Sequence, residues 1–326
     1  MKGYRFVDYA TQGYLALVAL LLIGFHNQTV PAWGWLVVGH LGVMLLIHGL
    51  IRHHAQSRPG WVLDFLRHFY PVLLYTGFYR ETAVLNRMFC SDYLDPAVIW
   101  LEQTLFGGQP AVLFMEALPW RAVSELFYAA YFSYYVMIVG VGLTLLMRRR
   151  DQFHHYVSVI SFVFYLCYLT YIFLPVTGPR AFLREVRGYR LPAEVQAMVG
   201  SVAYPPAVTK AWFFQVMALI YDIFEAPGAA LPSSHVAVAV ATAWFSFRYL
   251  PRIRFVHLAT VCLLCLSTVY CRYHYAVDVL AGLLTAAVLV PLGNWLYQRC
   301  SPSAQVPTEP GPPQPPVPVG TLERAG

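Results

Sequence analysis

Val123-Ser-Glu-Leu-Phe-Tyr-Ala-Ala-Tyr-Phe-Ser-Tyr-Tyr-Val-Met-Ile-Val-Gly-Val-Gly-Leu-Thr-Leu-Leu-Met147-Arg148-Arg149-Arg150 is the stretch that decides the fold. A bilayer span needs about 20 predominantly apolar residues, and this run supplies them with one acid, Glu125, near its start. Three consecutive arginines then stop it, and such clusters collect on the cytoplasmic side of a membrane. Composition agrees: 58% of the chain is hydrophobic and only 12% charged, against about 25% charged in an ordinary soluble domain. The expected fold class is all-α, a polytopic integral membrane helical bundle.

Forward of Arg150 the chain alternates sides. A span from about Tyr156 to Leu174 ends outside at Pro175-Val-Thr-Gly178-Pro179-Arg180. An outer loop, 181–231, carries Arg184, Arg187, Arg190 and Lys210 and a short interfacial helix around Trp212 to Phe224. Val236 to Leu250 descends to a second basic loop, Arg248, Arg252 and Arg254; Phe255 to Tyr270 climbs back, and Val279 to Leu296 returns to Arg299. Before Val123, residues 80–120 hold no clear span. From Asp92-Tyr-Leu-Asp-Pro96 through Leu105-Phe106-Gly107-Gly108-Gln109-Pro110 they read as helices in the interface, where Trp100 and Trp120 suit an indole's apolar body and single polar N–H. Trp61 to Tyr79 carries Asp64, Arg67 and His68, which are costly in lipid unless they face protein or the interface. Trp33 to Ile51 stops at Arg52-His53-His54, and Thr11 to Phe25 reads as an uncleaved first span.

The sum is about eight spans with both termini cytoplasmic. Residues 1–60 form two N-terminal spans and 61–298 the membrane core. Residues 299–326, with eight prolines after Ser301, read as a disordered Pro-rich cytoplasmic tail. The six cysteines lie mostly in apolar runs, so neither a disulfide nor a redox or zinc site is expected. No nucleic-acid motif is visible, and nothing in the sequence sets an oligomeric state.

This topology brings Arg180, His235 and His274 to the outer ends of different spans. In Arg272-Tyr-His274-Tyr-Ala-Val-Asp278, a carboxylate four residues after a histidine would share its helix face, holding one imidazole nitrogen while the other faces chemistry. Alone, such a pair is more often a structural helix cap. Pro232-Ser233-Ser234-His235 alone reads as a helix start with serine as N-cap, where free N–H groups also make an anion site. Together the groups supply what phosphoryl transfer requires: cationic donors for phosphate oxygens, a nucleophile and an acid for the leaving oxygen. No G-x-S-x-G is present, which sets serine hydrolysis aside.

Gly-Pro-Arg180, Pro-Ser-Ser-His235 and Arg-Tyr-His274-Tyr-Ala-Val-Asp278, in that order, resemble the three motifs of the type 2 phosphatidic acid phosphatase superfamily. Within it the chain most resembles the inositolphosphotransferase branch, which includes inositol phosphorylceramide synthase and sphingomyelin synthase-like enzymes, through Val279-Leu-Ala-Gly282 after the last motif and Leu105-Phe-Gly-Gly-Gln-Pro110 upstream. The resemblance covers roughly residues 61–298. It implies a six-helix catalytic core at the non-cytoplasmic face, His274 as the nucleophile that becomes a phosphohistidine, Asp278 as its orienting partner and His235 as the acid. It further implies phosphate binding by Arg180, Arg272 and the backbone N–H groups near Ser233 and Ser234, with no metal and no cofactor. The implied partners are a membrane lipid substrate and an alcohol or water acceptor.

Departures from the phosphatase pattern sharpen the expectation. Phe173 stands where a lysine precedes the first arginine, Thr268 where an arginine precedes the nucleophile, Ala181 where a proline follows Arg180, and Ser234 where the second motif has glycine. A cradle short of two cations suits a phosphodiester, with about one negative charge, better than a phosphomonoester or pyrophosphate. The expected function therefore leans to headgroup transfer. The alternatives are a lipid-phosphate or polyprenyl-pyrophosphate phosphatase and a non-catalytic lipid-binding or transport protein of the same fold.

Overall fold

The computed structural model describes residues 3–57, 60–185, 189–198 and 203–300; Arg187 and the proline-rich tail lie outside the described residues. In chain order the helices are α1 (Phe6–Phe25), α2 (Trp33–Gln56), α3 (Trp61–Leu85), α4 (Asp95–Phe106), α5 (Pro110–Ala117), α6 (Arg121–Arg148), α7 (Arg150–Phe173), α8 (Pro179–Glu185), α9 (Ala193–Met198), α10 (Pro206–Thr209), α11 (Trp212–Phe224), α12 (Ser234–Tyr249), α13 (Arg254–Tyr270) and α14 (Ala276–Cys300). The described residues contain no strand, so the all-α membrane bundle expected from composition is the observed fold.

Five helices, α1, α2, α6, α7 and α14, are long and apolar enough to cross a membrane. The other three expected spans fall outside those limits of length or charge. α12 and α13 have 16 and 17 residues, roughly 24–26 Å of rise, short of the ~30 Å hydrocarbon thickness. α3 is long enough but carries charges that find protein partners. Arg67 and Asp8, 4% and 0% exposed, form a 2.7 Å ion pair, and Tyr70 donates to the same carboxylate at 2.6 Å.

α7 is the axis of the molecule, packing against α1, α3, α6, α12 and α14. Of its apolar stretch 72% is buried in protein, against 22% for α2. Small residues let the partner helices close in. A Cβ at Gly282 of α14 would lie 2.6 Å from the Ser233 carbonyl oxygen and 3.0 Å from Val236 Cβ, so α12 and α14 meet there only because position 282 has no side chain.

Several helix boundaries differ by a few residues from the sequence reading, and two of the differences matter most. No loop separates α6 from α7: Arg149 alone, in extended conformation, turns the chain, because three adjacent arginines can all reach the membrane edge from helix ends. The last helix begins at Ala276, three residues before the expected Val279. The earlier start moves Asp278 into its first turn.

Candidate active site

The loops that carry the three motifs are joined by backbone hydrogen bonds. Arg180 N donates to the Arg272 carbonyl at 2.7 Å, Ser233 N to that of Asp278 at 3.1 Å, and Ala230 N to that of Val176 at 2.8 Å. Each loop is thus bonded to both of the others. Gly178 makes the first junction possible: its φ is +89°, and a Cβ would sit 2.5 Å from the Tyr273 carbonyl oxygen. Only glycine takes both that conformation and that approach without strain.

His274 does not lie on a helix face. It ends a turn after α13, with its N–H and that of Tyr273 both donating to the Thr268 carbonyl at 3.1 and 3.2 Å. Asp278 is the third residue of α14, and its Oδ2 accepts the Tyr275 N–H at 2.8 Å, as the reaching-back acid of a capping box does. The same oxygen is 3.4 Å from His274 Nδ1. The four-residue spacing therefore works across a helix start rather than along a helix, because the turn folds the imidazole back over the cap.

His274 Nε2 faces His235 Nδ1 at 3.2 Å. With Asp278 accepting at Nδ1, the proton belongs there, Nε2 carries the lone pair, and His235 Nδ1 is the donor to it. Ser233 caps α12 by accepting the Val236 N–H at 3.3 Å, which sets His235 in the first turn of that helix. Tyr134 and Tyr131 wall its ring at centroid distances of 4.6 and 5.1 Å.

The expected phosphate ligands have protein partners. The Ser233 N–H is taken by Asp278, and the Ser234 N–H donates to the Tyr171 hydroxyl at 3.2 Å. Arg180 is held by Glu225 at 3.0 Å and Asp222 at 3.5 Å, beside the rings of Tyr221 and Tyr273. Burial would lower its pKa, but Tyr273 and Glu225 outweigh that and hold the guanidinium above its ordinary value. Arg272 has a left-handed backbone, φ 63°, a strained conformation for a non-glycine residue. It is 2% exposed, rests on the Tyr204 ring, and its Nε and Nη2 have no hydrogen-bond partner. Neither of the two positions where the phosphatase pattern has a cation supplies a substitute: Phe173 packs on Phe89, and Thr268 Oγ1 donates to the Cys265 carbonyl.

A family model, the PAP2 superfamily, matches residues 97–292, which include Arg180, His235, His274 and Asp278. The chain belongs to the PAP2 superfamily. Membership supports phosphatase or phosphotransferase chemistry on lipid phosphates and agrees with an integral membrane enzyme. Comparison with curated proteins and with solved structures gives no match.

Some residues at this PAP2 site were not singled out by sequence reasoning. Tyr171 bridges Ser234 N–H and the Pro232 carbonyl, and Asp222 and Glu225 occupy Arg180. Asp95 and Glu102 of α4 reach the first and third motif loops. Two acids seven residues apart in an apolar interfacial helix, hence on one face, were the available signal for the last pair. An apolar groove of about 520 Å³ between α7 and α14, lined by Leu166, Thr170, Leu284 and Val288, reaches Pro232.

Proposed function

We propose that this protein transfers phosphorylated headgroups between membrane lipids and acceptor alcohols, an inositolphosphotransferase-type reaction through a phosphohistidine on His274. The observation that carries the reading is the line Asp278, His274, His235, with Nε2 of the central imidazole facing Nδ1 of the last at 3.2 Å. In the first half-reaction the Nε2–P bond forms, the P–O bond to the lipid alcohol breaks, and His235 gives that oxygen its proton. In the second, the acceptor hydroxyl gives its proton to His235 as its oxygen bonds phosphorus and the N–P bond breaks. Asp278 keeps the Nδ1 proton in place throughout and balances the imidazolium charge.

Charge favours a diester substrate. Arg180 is already paired with two acids, Arg272 stands 4.0 Å from Glu116, and positions 173 and 268 add no cation. About one negative charge fits this balance better than two or more. Acidic neighbours on the only first-motif arginine also oppose a pyrophosphate. The groove beside Pro232 has the lining and volume for an acyl chain.

Arg148–Arg150 mark the opposite end of α7 from Tyr171, and Arg252 and Arg254 follow the far end of α12 from His235. By the positive-inside rule the site faces the non-cytoplasmic side, periplasmic or lumenal. The test offers the purified protein phosphatidylinositol, phosphatidic acid and a polyprenyl pyrophosphate in parallel, with an acceptor alcohol, and identifies products by mass. Headgroup exchange from the diester is expected. Rapid release of inorganic phosphate from phosphatidic acid without any exchange sinks transfer in favour of hydrolysis. A lipid-derived phosphoenzyme trapped on wild type and absent from His274→Ala excludes a non-catalytic lipid binder.

A further inference from the structure

α4 carries two buried carboxylates, each 0% exposed, and both serve loops far away in the chain. Asp95 Oδ1 accepts from Gly178 N at 2.9 Å, Thr177 Oγ1 at 2.9 Å and the Tyr275 hydroxyl at 3.0 Å, while Oδ2 accepts from Thr177 N at 2.8 Å. One carboxylate therefore binds the turn before Arg180 and the residue after His274 together. Glu102, two helical turns on along the same face, accepts the Val277 N–H at 3.2 Å. That N–H is among the orphan donors at the start of α14, so Glu102 caps from another helix the end that carries Asp278.

The ends of α4 are themselves fixed. Leu94 N donates to the Pro175 carbonyl at 2.8 Å. At the other end Gly107, in left-handed conformation, terminates the helix, and Gln109 Nε2 returns to the Ile99 carbonyl at 3.1 Å. The Leu105-Phe-Gly-Gly-Gln-Pro110 stretch is thereby a stop that holds α4 in one register.

We infer that Asp95 and Glu102 are positioning residues for phosphoryl transfer: α4 is a brace that sets the Gly178–Arg180 turn against His274 and the start of α14. The inference rests on His274 as the nucleophile. It gives the two carboxylates a role different from that of a phosphate ligand, which a negative charge at those positions would repel. Nature of the bonds decides the choice of variants. Asp95→Asn places an NH2 group where one of two oxygens must accept, so it cannot keep all four bonds. Tyr275→Phe removes only the hydroxyl that links the two loops. Glu102→Gln keeps a carbonyl oxygen for the Val277 N–H, whereas Glu102→Ala does not.

The experiment uses the full chain in detergent with labelled short-chain phosphatidylinositol and phosphatidic acid as probes. It measures the rate of His274 phosphoenzyme formation, KM and thermal midpoint, together with amide exchange at 177–178 and 273–278. A misplacement of about 1 Å costs about 100-fold in rate. That loss is expected for Asp95→Asn, with about 10-fold for Tyr275→Phe and for Glu102→Ala, and KM moved less than about threefold. Glu102→Gln is expected to recover to within about threefold of wild type. Amide exchange across 273–278 should quicken in Asp95→Asn and Glu102→Ala. Wild-type phosphoenzyme rates per folded molecule in Asp95→Asn, Tyr275→Phe and Glu102→Ala overturn the brace, even if their melting temperatures fall. If wild type forms no phosphoenzyme with either probe, it is the phosphohistidine reading that fails. Amide exchange then decides the brace, and unchanged exchange at 273–278 in both Asp95→Asn and Glu102→Ala overturns it.

Discussion

The two ends of α7 hold buried carboxylates of equal burial and opposite character. Near its start Asp8, 0% exposed, accepts from Arg5 N, both terminal nitrogens of Arg67 and the Tyr70 hydroxyl. Near its other end Asp278, also 0% exposed, uses Oδ2 for Tyr275 N and His274 and leaves Oδ1 without a partner. Arg272 Nε and Glu102 Oε2 also lack a hydrogen-bond partner there. An unsatisfied buried polar group costs roughly 1–3 kcal/mol, so a fold keeps several together only where something else requires them. Burial does not separate Asp8 from Asp278; saturation of their hydrogen bonds does.

The contrast predicts opposite losses at the two ends. His274→Ala should reduce turnover by roughly 10⁴-fold or more while leaving the thermal midpoint of the purified protein at or above wild type. Arg67→Ala should do the reverse. It leaves Asp8 buried and uncompensated, a loss of about 3–5 kcal/mol, read as a lower yield and melting temperature with turnover per folded molecule preserved. A large activity loss in folded Arg67→Ala would break the comparison.

A smaller effect concerns pH. Burial pushes Glu102 up to about 7, against the Val277 and Ala276 N–H groups and with Asp278 adding to the rise, and pushes Asp95 up to about 6. A carboxyl whose folded pKa is raised binds more protons folded than unfolded. Its stabilisation is complete below the unfolded value, 4.5 for Glu102, and is lost as pH rises through about 7. The wild-type melting temperature should therefore fall between about pH 5 and pH 8, and Glu102→Gln should flatten that fall. An identical slope in the variant would show that Glu102 does not titrate in this range. Smallest is the release of Arg180. Its partners Asp222 and Glu225 are 72% and 34% exposed, so the pairs are worth about 0–1 kcal/mol. Glu225→Ala should lower KM for an anionic lipid by at most about fivefold, measured by initial rates; a raised KM would mean that the pair aligns Arg180 rather than competing for it.

How much was legible varies with the range of the signal. Helix content, the cap at Ser233 and the stop at Arg148–Arg150 depend on residues within a few positions of one another, and the sequence patterns state them. The three motif loops were readable because topology puts helix ends at one level of the membrane. His274 was misplaced onto a helix because a four-residue spacing fits both a helix face and a turn folded over a helix cap, and periodicity cannot separate the two. Asp95 escaped notice as a partner of Tyr275 because 180 residues of chain lie between them.

Amino-acid order alone determined that this chain is a membrane helical bundle and which histidines, arginine and aspartate meet at one end of it. Those features follow from apolar length, charge placement and local caps, which act over one or two helical turns. Tertiary structure decided which nitrogen of His274 faces His235, that Arg180 is already paired, and that α4 ties the motif loops together. These depend on directions and distances between segments that only packing around α7 brings into contact.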